Sequence, residues 1–292
     1  MAELLSYGFM QKALAAGVLI SVICSVMSFF VLVNRLSFIG VGVSHAAFGG
    51  VALGFMLGFD PMLSAVVFSV ATAWLIGMVS RKGMLDEDTT IGIFYAAAMA
   101  LGVVIIGLSK GYNVDLFGYL FGNILSVSTA DLWIVSTLGV LVLGAIIFFF
   151  KELLYISFDE ESAQVNGIPV TFLYYLLLTL MAITIVISMK VVGIILVSAL
   201  LVIPAAAAYE VTSSHRMLIF ISILVGLFSA LGGLFLSFQF NTASGATIVL
   251  LAAAVFLLFF GFRSVSRRVG RSALPDECPV IPDPVQTHSR ES

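Results

Sequence analysis

Residues 38–59, FIGVGVSHAAFGGVALGFMLGF, run for 22 positions without a charged side chain, and Ser44 and His45 are their only polar ones. A helix of that length spans a bilayer. Inside hydrocarbon an imidazole finds no water for its ring nitrogens, so His45 must meet protein, a partner group or a wet pathway. Small residues recur at every fourth position: Gly42, Ala46, Gly50, Gly54 and Gly58. Such a stripe lets a second helix pack backbone to backbone, and His45 projects about 100° away from it. Close packing beside a metal-capable side chain suits a transport pathway. It suits a helix interface holding a satisfied histidine equally well, so the rest of the chain must decide.

Composition sets the class. Hydrophobic residues make up 61% of the chain and charged ones 10%, against roughly 25% charged in a soluble domain; mean hydropathy is +1.18. The chain reads as an all-α, polytopic integral membrane protein. Its net charge of −3 points to no nucleic acid. Of two cysteines, Cys24 lies in an apolar run and Cys278 in a polar tail, so no disulfide framework is implied. The first apolar run lacks a small-residue cleavage site and reads as a retained helix.

Spanning runs occur at roughly 10–33, 38–58, 62–79, 91–108, 132–150, 171–189, 191–209, 217–236 and 245–262, each near the ~20 residues a crossing needs. Eight to ten spans is the range. Lys190 separates two runs almost alone, which predicts a tight hairpin within 171–209. With nine crossings, one side receives Arg35, Arg81, Lys82, Lys151, Arg216, Arg263, Arg267, Arg268, Arg271 and Arg290, and the other only Lys12, Lys110 and Lys190. The positive-inside rule then puts the N-terminus outside and the C-terminus in the cytoplasm. Residues 110–131 are too apolar for a free loop and read as partial re-entry, where irregular backbone must be buried. Residues 1–271 form the transmembrane domain. Residues 272–292, with four prolines, read as a disordered cytoplasmic tail, and Cys278 and His288 within it make no recognisable site.

No GxxxxGK[ST] phosphate loop, HExxH, CxxC or Ser/His/Asp set occurs, so the chain carries no ATPase of its own and no evident enzyme chemistry. The cytoplasmic segment 151–170, KELLYISFDEESAQVNGIPV, is acidic at Asp159, Glu160 and Glu161, and Gly167 followed by Pro169 supplies a stop. Acids at a start and glycine past an end mark a short capped helix, able to dock into a partner or simply to close a solvated loop. Asp60, Asp115 and Asp131 face outward, either toward a delivering protein or as solvated charges. Asn34 and Asn123 read as caps before they read as path-lining groups.

Five stretches, SFIGVGVSHAAFGGVALG, DLFGYLFGNILSVS, SFDEESAQVNGIPV, VVGIILVSALLVIPAAAAY and SGATIVLLAAAVFLLF, stand in the order and spacing of the permease subunits of metal-type ABC importers. The chain resembles that zinc, manganese and iron(II) family over nearly all of residues 10–265. The resemblance implies a homodimeric pore in a prokaryotic inner membrane, a separate cytoplasmic ABC ATPase holding the ATP, and an external or periplasmic metal-binding protein. No permanent cofactor is implied; Zn²⁺ or Mn²⁺, with Fe²⁺ possible, is cargo. The 157–169 loop resembles the family's coupling helix, which assigns Asp159, Glu160, Glu161 and Gly167 to ATPase contact.

The family's second-span motif reads G-D-A-x-S-H. Here Gly40, Val41, Gly42, Val43, Ser44 and His45 stand in its place, so the histidine carries over and the carboxylate does not. His45, with Ser44 beside it, is then a transient pathway site, and Gly42, Gly50, Gly54 and Gly58 are helix-packing positions. Two alternatives remain. A self-contained secondary transporter or channel needs midplane charges and discontinuous helices, and the sequence is poor in both. A related permease for an iron chelate is the other.

Overall fold

A computed structural model describes residues 8–83, 86–108, 122 and 127–271, the side chains of Glu87 and of 264–271 excepted. Within them lie α1 (Gly8–Val33), α2 (Ser37–Leu57), α3 (Pro61–Arg81), α4 (Glu87–Leu108), α5 (Thr129–Phe148), α6 (Phe150–Phe158), α7 (Glu160–Val165), α8 (Val170–Val192), α9 (Ile194–Leu200), α10 (Ile203–Tyr209), α11 (His215–Phe240) and α12 (Ser244–Arg271). No strand occurs among the described residues. Eight helices, α1 to α5, α8, α11 and α12, are long and apolar enough to cross a bilayer. The helix starts have local causes. Asp60 accepts from the Leu63 N–H at 2.9 Å with Pro61 in the first turn, and Ser128 and Asp131 form a reciprocal capping box.

The quoted stretch, α2, sits between α3 and α4. A Cβ on Gly50 would lie 2.8 Å from the Ala65 Cα, and one on Gly54 2.8 Å from the Pro61 Cα. On the α4 side, a Cβ on Gly49 would lie 2.6 Å from the Ala98 carbonyl, and one on Gly42 2.8 Å from Ile91 Cγ2. Backbones this close exclude any side chain, and dispersion between them replaces the hydrophobic drive that lipid cannot supply. Gly58 shares the spacing but not the role. It takes φ +72° just past α2, with the Phe59 N–H bonded back to Gly54, and a Cβ there would meet nothing within 4 Å. Gly58 stops the helix instead of packing it.

Three ion pairs tie helix ends together. Lys190 pairs with Asp131 at 2.6 Å, Arg81 with Glu160, and Arg263 with Glu210 at 3.1 Å. The Lys190 pair explains why α8 runs on through its charge to Val192 where the sequence suggested a turn. The break falls at Gly193, whose φ +84° and ψ 160° are open essentially to glycine alone. Gly122 packs against it, since a Cβ there would lie 2.2 Å from the Val192 carbonyl carbon.

Residues 191–209 are therefore not one uninterrupted span. They form α9 and α10, interrupted at Leu201–Val202 ahead of Pro204, and this pair carries the chain from the Lys190 end to the Arg263 end. The discontinuous helix that the sequence did not reveal is present. A second difference lies at 149–158: α5 stops at Phe149, and KELLYISF, read as loop, is the amphipathic helix α6 with Leu153 buried. Residues 109–121, 123–126 and 272–292, which include Asp115, Asn123, Cys278 and His288, lie outside the described residues.

Candidate metal pathway and coupling site

His45 lies on α2 one turn after Val41, and its Nδ1 is 2.9 Å from the Val41 carbonyl. A carbonyl can only accept, so Nδ1 carries a proton, and in the neutral ring the lone pair is then at Nε2. Ligating histidines are held the same way, one nitrogen donating to a backbone oxygen while the other faces the ion. The ring meets the Tyr95 ring edge-on at 4.9 Å between centroids, which fixes its plane from α4. His45 is half-buried, Val41 is 36% exposed and Phe38 is exposed, so the 38–41–45 face of α2 is open.

Ser44 adjoins the ring. Its hydroxyl is buried, 3.5 Å from Nδ1, 2.8 Å from the Val41 carbonyl and 3.1 Å from Ser198 Oγ on α9. Ser198 also reaches the Ile194 carbonyl at 2.9 Å. Two hydroxyl protons serve three contacts, and because Nδ1–H already satisfies the Val41 carbonyl, the Ser44 proton is free to bond Ser198. Ser44 thus joins α2 to the broken helix and adjoins the nitrogen that is already engaged. Among the described residues no three His, Cys, Asp or Glu side chains cluster as a metal cage.

At one end of the bundle, α7 is capped at both ends. Asp159 accepts from the Ser162 N–H at 2.9 Å and from its hydroxyl at 2.5 Å, and these bonds hold the Asp159 carboxyl below the usual range. At the other end Gly167, φ +79°, donates to Gln164, and Ile168 donates to Ala163, the paired bonds of a glycine stop. Only Ala163 turns inward; Val165 is 88% exposed and Phe158 68%. Glu160 pairs with Arg81, whose guanidinium lies 4.7 Å over the Tyr174 ring. Glu161 is exposed. The acids divide accordingly: Asp159 caps, Glu160 ties α7 to α3, and Glu161 is free to meet a partner.

Other candidates have structural work. Asn34 donates to Phe30 and to Ser157 Oγ, both at 2.8 Å, fastening α1 to α6. Asp131 is engaged by Ser128 and Lys190, and Asp60 by its cap. Ser198 and Tyr95 were missed from sequence. Each is a lone polar group in an apolar run, and only the fold shows what it touches.

The architecture is that of a polytopic helical membrane protein with an imidazole on an open face of a spanning helix. The chain belongs to the ABC 3 transport family, which matches residues 6–263. It is 41% identical over 260 residues to the manganese transport system membrane protein MntC of Halalkalibacterium halodurans, covering 89% of each chain. It is 34% identical over 246 residues to the high-affinity zinc uptake system membrane protein ZnuB of Haemophilus influenzae, covering 84% of this chain and 94% of the relative. Among solved structures it is similar to PsaBC from Streptococcus pneumoniae in complex with Fab, at a TM-score of 0.82 and 38% identity over 92% of this chain and 97% of that one.

Proposed function

We propose that the chain is the membrane-spanning permease of an ATP-driven importer for a divalent transition metal, Mn²⁺ before Zn²⁺. The observation that carries the proposal is His45: an imidazole inside a spanning helix, its Nδ1 tied to the Val41 carbonyl and its Nε2 free on an open face. The order of metals follows the relatives, since the manganese protein is 41% identical and the zinc protein 34%. Two copies of the chain bring two His45 rings toward a common axis, where hydrated metal is held weakly. Weak holding serves conduction, which needs an ion to leave as readily as it enters. An external binding protein delivers the metal at the Asp60 end, and a cytoplasmic ATPase receives α7. The charge asymmetry supports an outside N-terminus and a cytoplasmic C-terminus.

Coupling follows the contacts. Movement of α7 acts on α3 through Glu160–Arg81, α3 is locked to α2 at Gly50 and Gly54, and α2 carries His45. The test is reconstitution with the ATPase in proteoliposomes, reading uptake and ATP hydrolysis with Mn²⁺, Zn²⁺ and Fe²⁺. ATP-dependent uptake that favours Mn²⁺ is expected. Uptake without ATPase overturns the proposal in favour of a self-contained transporter, a reading that the broken α9–α10 helix keeps in play.

A further inference from the structure

Arg35 occupies a position where glycine is usual. It follows α1 with φ +58°, and its N–H and that of Leu36 bond back to Leu32 and Val31, the pattern of a glycine stop. A side chain in this left-handed region is strained and persists where the surroundings use it. The Arg35 guanidinium makes no ion pair among the described residues. It lines a cavity of about 380 Å³ between the end of α1, α6, the end of α10 and the start of α11.

The cavity is two-faced. Phe29, Leu32 and Leu218 form an apolar floor, and Arg35, Ser213 and His215 bring a cation and hydrogen-bonding groups to the rim. Among the described residues no carboxylate lines it. The aromatic rings of Phe158 and Tyr209, both exposed, flank the opening, as rings do at the level of lipid headgroups. A free phosphate would use only the rim and leave the floor wet. We infer that this cavity binds an anionic phospholipid, its phosphate on Arg35 and the Ser213–His215 edge and an acyl chain along the floor. Basic recesses between spanning helices on the cytoplasmic side suit such headgroups. The inference rests on the sidedness proposed above, which puts this end in the inner leaflet. The lipid touches Phe158, the residue before the α7 cap, and Tyr209, the last of the broken helix, so it stands where it can stiffen the ATPase contact.

The test uses the full permease–ATPase complex in nanodiscs of phosphatidylcholine with or without phosphatidylglycerol, reading retained lipid by native mass spectrometry and the melting temperature. Arg35→Gly removes the cation while suiting the turn, Arg35→Lys restores charge, and Val33→Trp fills the cavity without touching the cation. Wild type and Arg35→Lys are expected to retain phosphatidylglycerol and melt higher with it. Arg35→Gly should retain roughly fivefold less, the weight of one basic residue at an anionic surface, and Val33→Trp should lose it too, each melting like wild type in phosphatidylcholine. Millimolar inorganic phosphate should shift nothing. Three results overturn the inference: phosphatidylglycerol retention at the wild-type level in Arg35→Gly and Val33→Trp, a phosphate shift matching the lipid's, or loss of ATPase from these variants with lipid retention unchanged. The last would make the recess a protein contact. Lipid retention is read without transport, so it stands or fails apart from the metal assignment.

Discussion

Val41→Asp restores the carboxylate that the second-span motif lacks, one helical turn from the imidazole. The Val41 carbonyl that holds Nδ1 is backbone, so the substitution leaves the His45 orientation intact. The new side chain enters the open 38–41–45 face. A carboxylate about 5 Å from a divalent ion at an effective dielectric of about 20 contributes about 7 kcal/mol of attraction. Stripping water from the carboxylate and the ion as they meet costs about 3 kcal/mol of this. The difference, about 3 to 4 kcal/mol, corresponds to a metal held some hundred- to thousandfold more tightly, on the order of one decade per 1.4 kcal/mol. Hard oxygen suits Mn²⁺ better than imidazole does, so the preference for Mn²⁺ should sharpen and turnover should slow as release becomes limiting. His45→Ala should instead cut uptake sharply while leaving assembly intact. Radiometal uptake and retention in proteoliposomes carrying the ATPase compare the two variants. Wild-type uptake in His45→Ala together with wild-type retention in Val41→Asp would refute the reasoning and place position 45 off the path.

Gly167→Val forces a β-branched side chain to φ +79° at about 1–2 kcal/mol. It should loosen α7 and weaken ATPase co-purification while the permease still reaches the membrane; unchanged co-purification would end the docking assignment. Gly50→Ala drives a methyl to 2.8 Å from the Ala65 Cα and the Phe68 Cβ. It should destabilise the α2–α3 seam by about 1–3 kcal/mol, readable as a lower melting temperature in detergent. A chain ending at residue 271 should insert and transport as the full chain does, and loss of uptake would assign the Pro-rich tail a role.

The spanning helices were legible because hydropathy over about 20 residues is a property of the sequence itself, and the α7 cap because Asp159 and Gly167 act within a few bonds of their own backbone. The break in residues 191–209 was hidden. Gly193 was visible, but glycine is common in such helices, and the Lys190 charge drew attention three residues too early because its partner, Asp131, is far away in sequence. The candidate site was half legible. His45 stood out as the polar residue of an apolar run, whereas Ser198 and Tyr95 matter through contacts that exist only once α9 and α4 are packed. Gly58 misled by its spacing, since periodicity cannot tell a packed glycine from one that ends a helix.

The glycine seams of α2 make His45 part of a lever. Locked to α3 near Gly50 and Gly54 and to α4 near Gly42 and Gly49, the ring has little freedom to swing alone. The three helices turn together or not at all. His45 lies thirteen residues from Gly58, about 20 Å along the axis at 1.5 Å per residue. A tilt of about 10° around the Gly58 end therefore sweeps the imidazole sideways by about 3.5 Å, more than the length of a coordination bond. A tilt that small, applied at the far end of α3 where Arg81 meets Glu160, is enough to pull one imidazole out of reach of an ion held by its twin in the proposed dimer.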